Sequence, residues 1–295
     1  MNEKMAEPEN SNWSYLAYDH IQGQWRPPAN TWRIVGRKYV NLILFLATIF
    51  STWLVGGIWY CLAIIAILTA HEMGHFLMCR KYGVPATLPY FIPFPFPSYN
   101  PFGTMGALIS MRGYIPSRKA LFDIGAGGPL AGLAVTIPVL FIGLALSTTA
   151  PRAEAAGGLT LGESLLFKLI SLIVLGPQPD EIDIMLHPVA YAGWAGLFIT
   201  GLNLIPIGQL DGGHVTYALF GPRAKYFTWL FIGALGILSI FNYSWALLFL
   251  LLAIFGRRHP SPLDDYTRLD HRRRIIGALV LILFVLSFTP VPFKI

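Results

Sequence analysis

Residues 64–78 read IIAILTAHEMGHFLM and place an HExxH box, His71-Glu72-Met73-Gly74-His75, inside an apolar run. An ionisable side chain costs at least about 2.5 kcal/mol at the centre of a bilayer, so three together need a role beyond packing. On a helix, residues four apart share one face, so His71 and His75 can bind one metal ion. Zinc is the usual ion for such a pair, and Glu72 is left free to act as a base. The box predicts a metallohydrolase, and its surroundings place it in a membrane.

The composition is that of a membrane protein. Of the 295 residues, 55% are hydrophobic and only 12% are charged, whereas a soluble domain carries about 25% charged residues. The net charge of +6 raises the question of nucleic acid, but the basic residues lie in loops beside apolar runs, as the positive-inside rule describes. We therefore predict a lipid bilayer and no nucleic acid as partner. Cys61 and Cys79, about 27 Å apart on one predicted helix, cannot form a disulfide bond.

Apolar runs predict an all-α polytopic membrane protein with about seven transmembrane helices. The predicted spans are 40–57, 58–79, 123–147, 188–207, two shorter passes within 226–256, and 275–292. Gly56 and Gly57 join the first two tightly. The sequence Asn242-Tyr243-Ser244 either turns 226–256 into a hairpin or lies within one tilted helix. The short apolar stretch 165–175 is expected at the outer interface.

The basic loops determine the predicted orientation. Lys and Arg side chains precede the first span, separate the second from the third, follow the fourth and precede the last. Seven spans with a cytosolic N-terminus put all of these loops inside, whereas six would put 257–274 outside, against the charge rule. Residues 1–39 are then a cytosolic tail and 40–295 a membrane-embedded domain. The N-terminal segment lacks the features of a secretory signal or an organellar leader, which favours a bacterial cytoplasmic membrane.

A catalytic zinc site needs a third protein ligand at the same depth as the histidines. Residues 203–213 read NLIPIGQLDGG and end the fourth span. Pro206 and the paired glycines can break the helix and turn the carboxylate of Asp211 inward. Because the second and fourth spans both run inward in the predicted topology, His75 and Asp211 are expected at comparable depth. The competing interpretation of Asp211 is a helix-capping Asp-Gly turn.

These motifs resemble the site-2 protease family of intramembrane zinc metalloproteases. HExxH in one span is followed by N-x-x-P-x-x-x-L-D-G-G in a later one, and the stretches 102–107 and 125–132 are similar to the family's central segment, particularly in its bacterial and plastid branch. The resemblance covers 58–220, the predicted catalytic core. It implies one zinc ion bound by His71, His75 and Asp211, with Glu72 as catalytic base and Asn203 as a substrate or oxyanion contact. The loop 148–187 is too short for the PDZ domain that some members carry.

The segment between the second and third spans is predicted to be non-helical. Residues 88–97 alternate aromatic residues with proline, which favours extended chain, and 104–114 have the pattern of short strands. At membrane depth such backbone must be buried in protein or line a wet cavity. The resemblance implies a small re-entrant β element beside the zinc, whose edge binds substrate through Gly106, Ala107, Leu108 and Ile109. The alternative is a cytosolic loop without substrate contact.

The function predicted from these features is hydrolysis of peptide bonds within or near transmembrane segments of single-span or polytopic membrane proteins. The resemblance implies regulated intramembrane proteolysis, and the predicted topology places the released fragment in the cytosol. The alternatives are a transporter or a silent scaffold with a buried metal site, and a di-iron oxygenase, which needs several histidine boxes. Three interpretations concern single residues. Gly128 and Gly132 allow close helix packing, the alternative role of Asn203 is a buried amide that bridges two helices, and His214 is expected in a cytosolic turn.

Overall fold

The computed structural model describes residues 17–19, 24–26, 34–35, 38–151, 160–179, 181–256 and 261–294, and most of the predicted cytosolic tail 1–39 lies outside them. Within these ranges the chain is mostly helical. The helices are α1 (Lys38–Lys81), α2 (Arg118–Ala145), α3 (Leu165–Leu175), α4 (Pro188–Asn203), α5 (Asp211–Phe220), α6 (Ala224–Phe241), α7 (Ala246–Phe255) and α8 (His271–Ser287). The strands are β1 (Ala17–Asp19), β2 (Gln24–Arg26), β3 (Ile34–Val35), β4 (Ala86–Thr87), β5 (Tyr90–Pro93), β6 (Thr104–Leu108), β7 (Thr148–Pro151), β8 (Thr160–Leu161), β9 (Ile182–Met185) and β10 (Phe293–Lys294).

Helix α1 is a tight helical hairpin whose two arms meet at Gly56 and Gly57. The thiol of Cys61 lies 3.4 Å from the carbonyl oxygen of Ile49, whereas twelve residues of continuous helix would separate them by about 18 Å. Gly57 has φ 71° and ψ −169°, a backbone region that is essentially confined to glycine. The arms, 38–55 and 58–81, correspond to the first two predicted spans.

A second hairpin joins α6 to α7. A methyl group on Gly236 would lie 3.1 Å from the ring of Phe249, although thirteen residues of straight helix extend about 20 Å. The turn contains a short 3₁₀ helix, and the buried indole of Trp245 donates a hydrogen bond of 2.7 Å to the carbonyl of Pro290. Of the two predicted arrangements for 226–256, the hairpin is therefore correct and the single tilted helix is wrong.

Three helical segments among the described residues are long and apolar enough to cross a membrane, namely Lys38–Lys81, Arg118–Ala145 and Asp211–Phe241. Helix α4 has 16 residues and α8 has 17, so both are shorter than the spans predicted for them. The predicted fourth span, 188–207, ends early because the chain leaves the helix after Asn203 and enters a turn that contains Pro206. Membrane association follows from these apolar helices, while the number of spans stays a prediction.

Helix α2 lies at the centre, packed against α1, α4 and α5. Its close approach to α1 depends on small residues, because a methyl group on Gly74 would lie 2.3 Å from the carbonyl oxygen of Gly127. Backbones that approach this closely are typical of helix pairs in membranes. The central position of α2 places its first turns beside the HExxH box.

The chain between α1 and α2 contains an antiparallel hairpin of β5 and β6, with Phe91 opposite Ala107. The amide of Asn41 donates to the carbonyls of Leu88 and Pro89, at 2.8 and 3.0 Å, and so attaches the start of this segment to the start of α1. At the opposite end of the helices, β7 pairs with β9, and β8 with β10. The non-helical segment predicted between the second and third spans is thus present as a strand pair.

Candidate metal centre

Two imidazoles and one carboxylate meet between α1 and α5. The Nε2 atoms of His71 and His75 are 3.1 Å apart, and each lies 3.2 Å from Oδ2 of Asp211. The three side chains are only 6%, 9% and 14% exposed. Among the described residues, these three form the one cluster of histidine, cysteine and acidic groups that could hold a metal ion.

The spacing and chemistry of this cluster fit zinc. Zinc bonds of 2.0–2.1 Å in a tetrahedral site place neighbouring ligand atoms about 3.3 Å apart, close to the separations of 3.1 and 3.2 Å seen here. The Nδ1 atom of His75 lies 2.7 Å from the carbonyl oxygen of Ile124. A carbonyl only accepts, so this nitrogen carries the proton and the Nε2 lone pair is directed to the centre of the cluster. A zinc ion held by these three side chains would have a fourth position open to water.

Glycines of α2 make room for the imidazoles. A methyl group on Gly128 would lie 2.0 Å from Nε2 of His75, and one on Gly132 would lie 3.1 Å from Nδ1 of His71. The sequence predicts a helix-packing role for these glycines but does not predict their contact with the candidate ligands. A signal was present: both the glycines and the histidines are four residues apart, the spacing of one helix face.

Asp211 reaches the histidines because it is the first residue of α5. The turn 204–210 reverses after α4, with Gly208 at φ 53°, and a methyl group on Gly212 would lie 1.9 Å from the carbonyl oxygen of Leu204. Only glycine allows the helix start to pack this closely on the turn. A carboxylate in the first turn of a helix is also stabilised by the helix dipole. The DGG sequence therefore brings its carboxylate to the histidine pair, as predicted.

Two further polar groups predicted at the site lie beside the cluster. The amide nitrogen of Asn203, the last residue of α4, lies 3.3 Å from Nε2 of His71. Glu72, which directly follows His71 in α1, is only 4% exposed. Asn203 of α4 thus contacts a candidate ligand on α1, an arrangement that fits both the predicted substrate or oxyanion contact and the alternative of an amide that bridges two helices.

A small cavity adjoins the cluster, with a volume of about 60 Å³. That volume has room for a few water molecules. The lining residues come from α1, β6 and α4, and are Ile67, Leu68, His71, Glu72, Met105, Gly106, Ala107, Gly196, Ile199, Thr200 and Asn203. Of the five predicted substrate-binding residues, Gly106, Ala107 and Asn203 line the cavity. Leu108 is 46% exposed, and Ile109 packs on the cluster of Phe76 and Cys79.

The interpretation of His214 as a residue of a cytosolic turn is wrong. Helix α5 continues from Asp211 to Phe220, so His214 lies within it and is buried. Its side chain packs on Gly125 of α2, where an added methyl group would lie 2.6 Å from its Cβ atom. The Asp-Gly-Gly sequence suggested a turn, but here it begins a helix.

The family model of peptidase family M50 matches residues 59–240, a range that includes the histidine box, the cavity and Asp211. The chain belongs to peptidase family M50. This confirms the site-2 protease resemblance predicted from the motifs. Membership accounts for the order of the two motifs and for the apolar helices that carry them.

Curated relatives support the same assignment. The chain is 31% identical over 241 residues to "Probable zinc metalloprotease EGY2, chloroplastic" of Oryza sativa subsp. indica, covering 80% of this chain and 43% of that protein. It is 33% identical over 241 residues to "Probable zinc metalloprotease EGY1, chloroplastic" of Arabidopsis thaliana, covering 77% of this chain and 42% of that protein. The M50 chain therefore spans less than half the length of these relatives.

Proposed function

We propose that the protein is an intramembrane zinc metalloprotease, which hydrolyses peptide bonds within or near transmembrane segments of membrane proteins. The observation that carries the proposal is the convergence of His71, His75 and Asp211 at zinc-like separations beside the buried Glu72. Membership of family M50 and relatives that are named zinc metalloproteases support it. Single-span and polytopic membrane proteins are the proposed substrates, and the lipid bilayer is the proposed environment.

In the proposed reaction each side chain has one task. His71, His75 and Asp211 would hold the zinc ion, which when bound would lower the pKa of a water molecule and polarise the substrate carbonyl. Glu72 accepts the proton of this water and delivers it to the leaving amine. The amide of Asn203 donates a hydrogen bond to the developing oxyanion or orients the substrate backbone.

We propose that β5 and β6 form a re-entrant element and that β6 binds the substrate. Gly106 and Ala107 line the cavity beside Glu72. Among the described strands, β6 pairs with β5 alone, so its second edge is free of strand partners. An extended substrate segment can pair with such an edge, which would hold a scissile bond beside the cavity. Leu108 and Ile109 continue this strand edge.

The proposed topology has seven spans, with the N-terminus and the opening of the site on the cytosolic side. Two contacts between the segments before α2 and α8 support it. The backbone amide of Leu263 donates to the carbonyl of Ile115 at 3.0 Å, and that of Arg118 donates to Asp264 at 3.2 Å. These basic segments therefore lie at the same end of the helices, as seven spans require. Six spans would place them on opposite sides of the membrane.

In this proposal residues 40–295 form the membrane-embedded domain, with the catalytic core at 58–220 and substrate selection without a PDZ domain. The relatives named above are chloroplast proteins, which gives no support to the predicted bacterial cytoplasmic membrane. We therefore do not propose a particular membrane. We propose only that the cleaved fragment is released on the side of the membrane that the basic loops face.

The test is cleavage of a panel of single-span substrates by the purified full chain and by its Glu72→Gln variant, with bound zinc measured in both. We expect the variant to retain zinc and to lose at least about 100-fold in cleavage rate, because the proton acceptor is gone. Glu181→Gln is the matched control, since Glu181 is exposed and lies outside the cavity. Equal cleavage by wild type and Glu72→Gln would rule out the proposed base.

The same panel separates the protease from the alternative of a transporter or silent scaffold with a buried metal site. Such a protein would bind zinc through the same three ligands, but its wild-type chain would cleave none of the substrates. Cleavage that depends on both zinc and Glu72 is expected only of the protease.

A further inference from the structure

Three helix ends are joined by one carboxylate outside the metal centre. Asp123, in the second turn of α2, accepts two hydrogen bonds from Arg273 of α8, from Nε at 2.7 Å and from Nη2 at 2.8 Å. It also accepts one of 2.5 Å from the hydroxyl of Tyr82, which directly follows α1. We call these three residues the Asp123 clamp. The clamp takes no part in the proposed metal binding, proton transfer or substrate binding.

The clamp is partly buried and well partnered. The side chains of Asp123 and Arg273 are 13% and 23% exposed, and such a two-pronged charge-assisted pair is among the stronger hydrogen-bonded contacts. Asp270 caps the first turn of α8 and also binds Arg273, so the guanidinium is held from both sides. Lys81 also contacts Asp123, at 3.1 Å, but it is 53% exposed and adds little.

The phenol of Tyr82 stays a donor to this carboxylate. Burial, together with the hydrogen bond to Asp123, raises the pKa of Tyr82 to about 12. The hydroxyl is therefore protonated at neutral pH, and its hydrogen bond to Asp123 persists throughout the physiological range.

The clamp lies directly beside the contact that orients a candidate zinc ligand. Tyr82 follows His75 by two helical turns and lies on the same face. Asp123 precedes Ile124, whose carbonyl accepts the Nδ1–H of His75 at 2.7 Å. Adjacent residues of α2 thus bind two positions on one face of α1. Sliding α2 by one residue, about 1.5 Å, would break both contacts together.

We propose that Asp123 is a positioning residue for the metal centre. By fixing the register of α2 against α1, the clamp holds the Ile124 carbonyl where it orients His75 for zinc. The inference rests on the proposed function in that the cluster binds zinc. Neither Asp123, Arg273 nor Tyr82 touches zinc or substrate in this proposal.

The test compares zinc affinity, measured by chelator competition, in the purified full chain and in Asp123→Asn and Tyr82→Phe variants. We expect Asp123→Asn to weaken zinc binding by about 10-fold or more, the usual effect of disturbing the groups that orient a metal ligand. Tyr82→Phe, which removes one oxygen atom, should give a smaller loss in the same direction. Cobalt absorption bands of the Co²⁺-substituted protein should shift in Asp123→Asn, because they report ligand geometry.

The matched control is Asp264→Asn. The carboxylate of Asp264 accepts hydrogen bonds from the backbone amides of Tyr266 and Thr267, at 3.1 and 3.0 Å, so it orders the loop before α8 rather than a helix that carries a candidate ligand. We expect it to lower stability without changing zinc affinity or the cobalt spectrum.

If Asp123→Asn and Tyr82→Phe bind zinc as tightly as the wild type and leave the cobalt spectrum unchanged, the clamp has no positioning role, and the protease proposal stands. If the zinc-loaded wild type cleaves no substrate while Asp123→Asn still binds zinc more weakly, the protease proposal fails and the clamp stands.

Discussion

At the residue scale, the candidate metal centre depends on the two glycines of α2 that contact its histidines, Gly128 and Gly132, as much as on the histidines themselves. A methyl group that replaced one Cα hydrogen of Gly128 would lie 2.0 Å from Nε2 of His75. The ring cannot move away freely, because its other nitrogen is bound to Ile124. Any side chain at this position must therefore displace the nitrogen that faces the candidate metal.

We predict that Gly128→Ala lowers zinc affinity by about 10- to 100-fold, measured by chelator competition on the purified protein. Gly233→Ala is the matched control, because Gly233 is also helical and an added methyl group there meets nothing within 4 Å. The control should bind zinc like the wild type. An affinity in Gly128→Ala equal to that of the control would show that the imidazole has room to shift.

The sequence was sufficient to predict the candidate ligands but not their surroundings. His71 and His75 are related by helix spacing, and Asp211 follows from the need for a third ligand at the same depth. The contacts of Gly128 with His75 and of His214 with Gly125 depend on which faces of α1, α2 and α5 meet. That choice is made by tertiary packing: the four-residue spacing of Gly128 and Gly132 indicates a helix face, but it does not indicate which partner helix that face meets.

At the scale of elements, the α1 hairpin depends on one unusual backbone conformation. Gly57 has φ 71° and ψ −169°, a conformation that costs other residues about 1–3 kcal/mol. An added methyl group would meet no atom within 4 Å, so the cost of a substitution is purely conformational.

We therefore predict that Gly57→Ala lowers the free energy of unfolding by about 1–3 kcal/mol, measured by denaturant unfolding in detergent. Zinc affinity should be unchanged, because His71 lies about four turns away along the second arm. Gly233→Ala serves again as the reference for a glycine in an ordinary helix. An unfolding free energy equal to that of wild type would mean that the hairpin turn relaxes without cost.

The paired glycines and the proline-aromatic alternation are local signals, so the hairpin and the non-helical segment could be predicted from them. Helix ends were less accurate: α4 ends at Asn203, although the apolar run continues to 207. An apolar run indicates which residues can be buried, but it does not indicate where a helix ends. The end of α4 is determined by the turn 204–210, which brings Asp211 to the histidines.

At the scale of the whole molecule, the proposed topology separates two exposed positions. Tyr266, 95% exposed, lies between α7 and α8, and Thr149 lies on β7 after α2 and is also exposed. The native cysteines, Cys61 and Cys79, are 2% and 0% exposed. They should therefore contribute little background in cysteine labelling.

We predict that Tyr266→Cys and Thr149→Cys react with a membrane-impermeant maleimide from opposite sides of sealed, oriented vesicles. Tyr266→Cys should react from the cytosolic side. The wild type, with its buried cysteines, is the control for background. Labelling of both variants from the same side would contradict the seven-span order.

His71 and Asp211 are separated by 140 residues along the chain, and this separation has a consequence during synthesis. Because a chain emerges from the ribosome N-terminus first, the α1 hairpin enters the bilayer long before α5 exists. A nascent chain then carries two imidazoles and Glu72 but lacks the carboxylate that completes the trio. In the proposed protease, cleavage can therefore begin only after α5 has been inserted and Asp211 has joined the histidine pair.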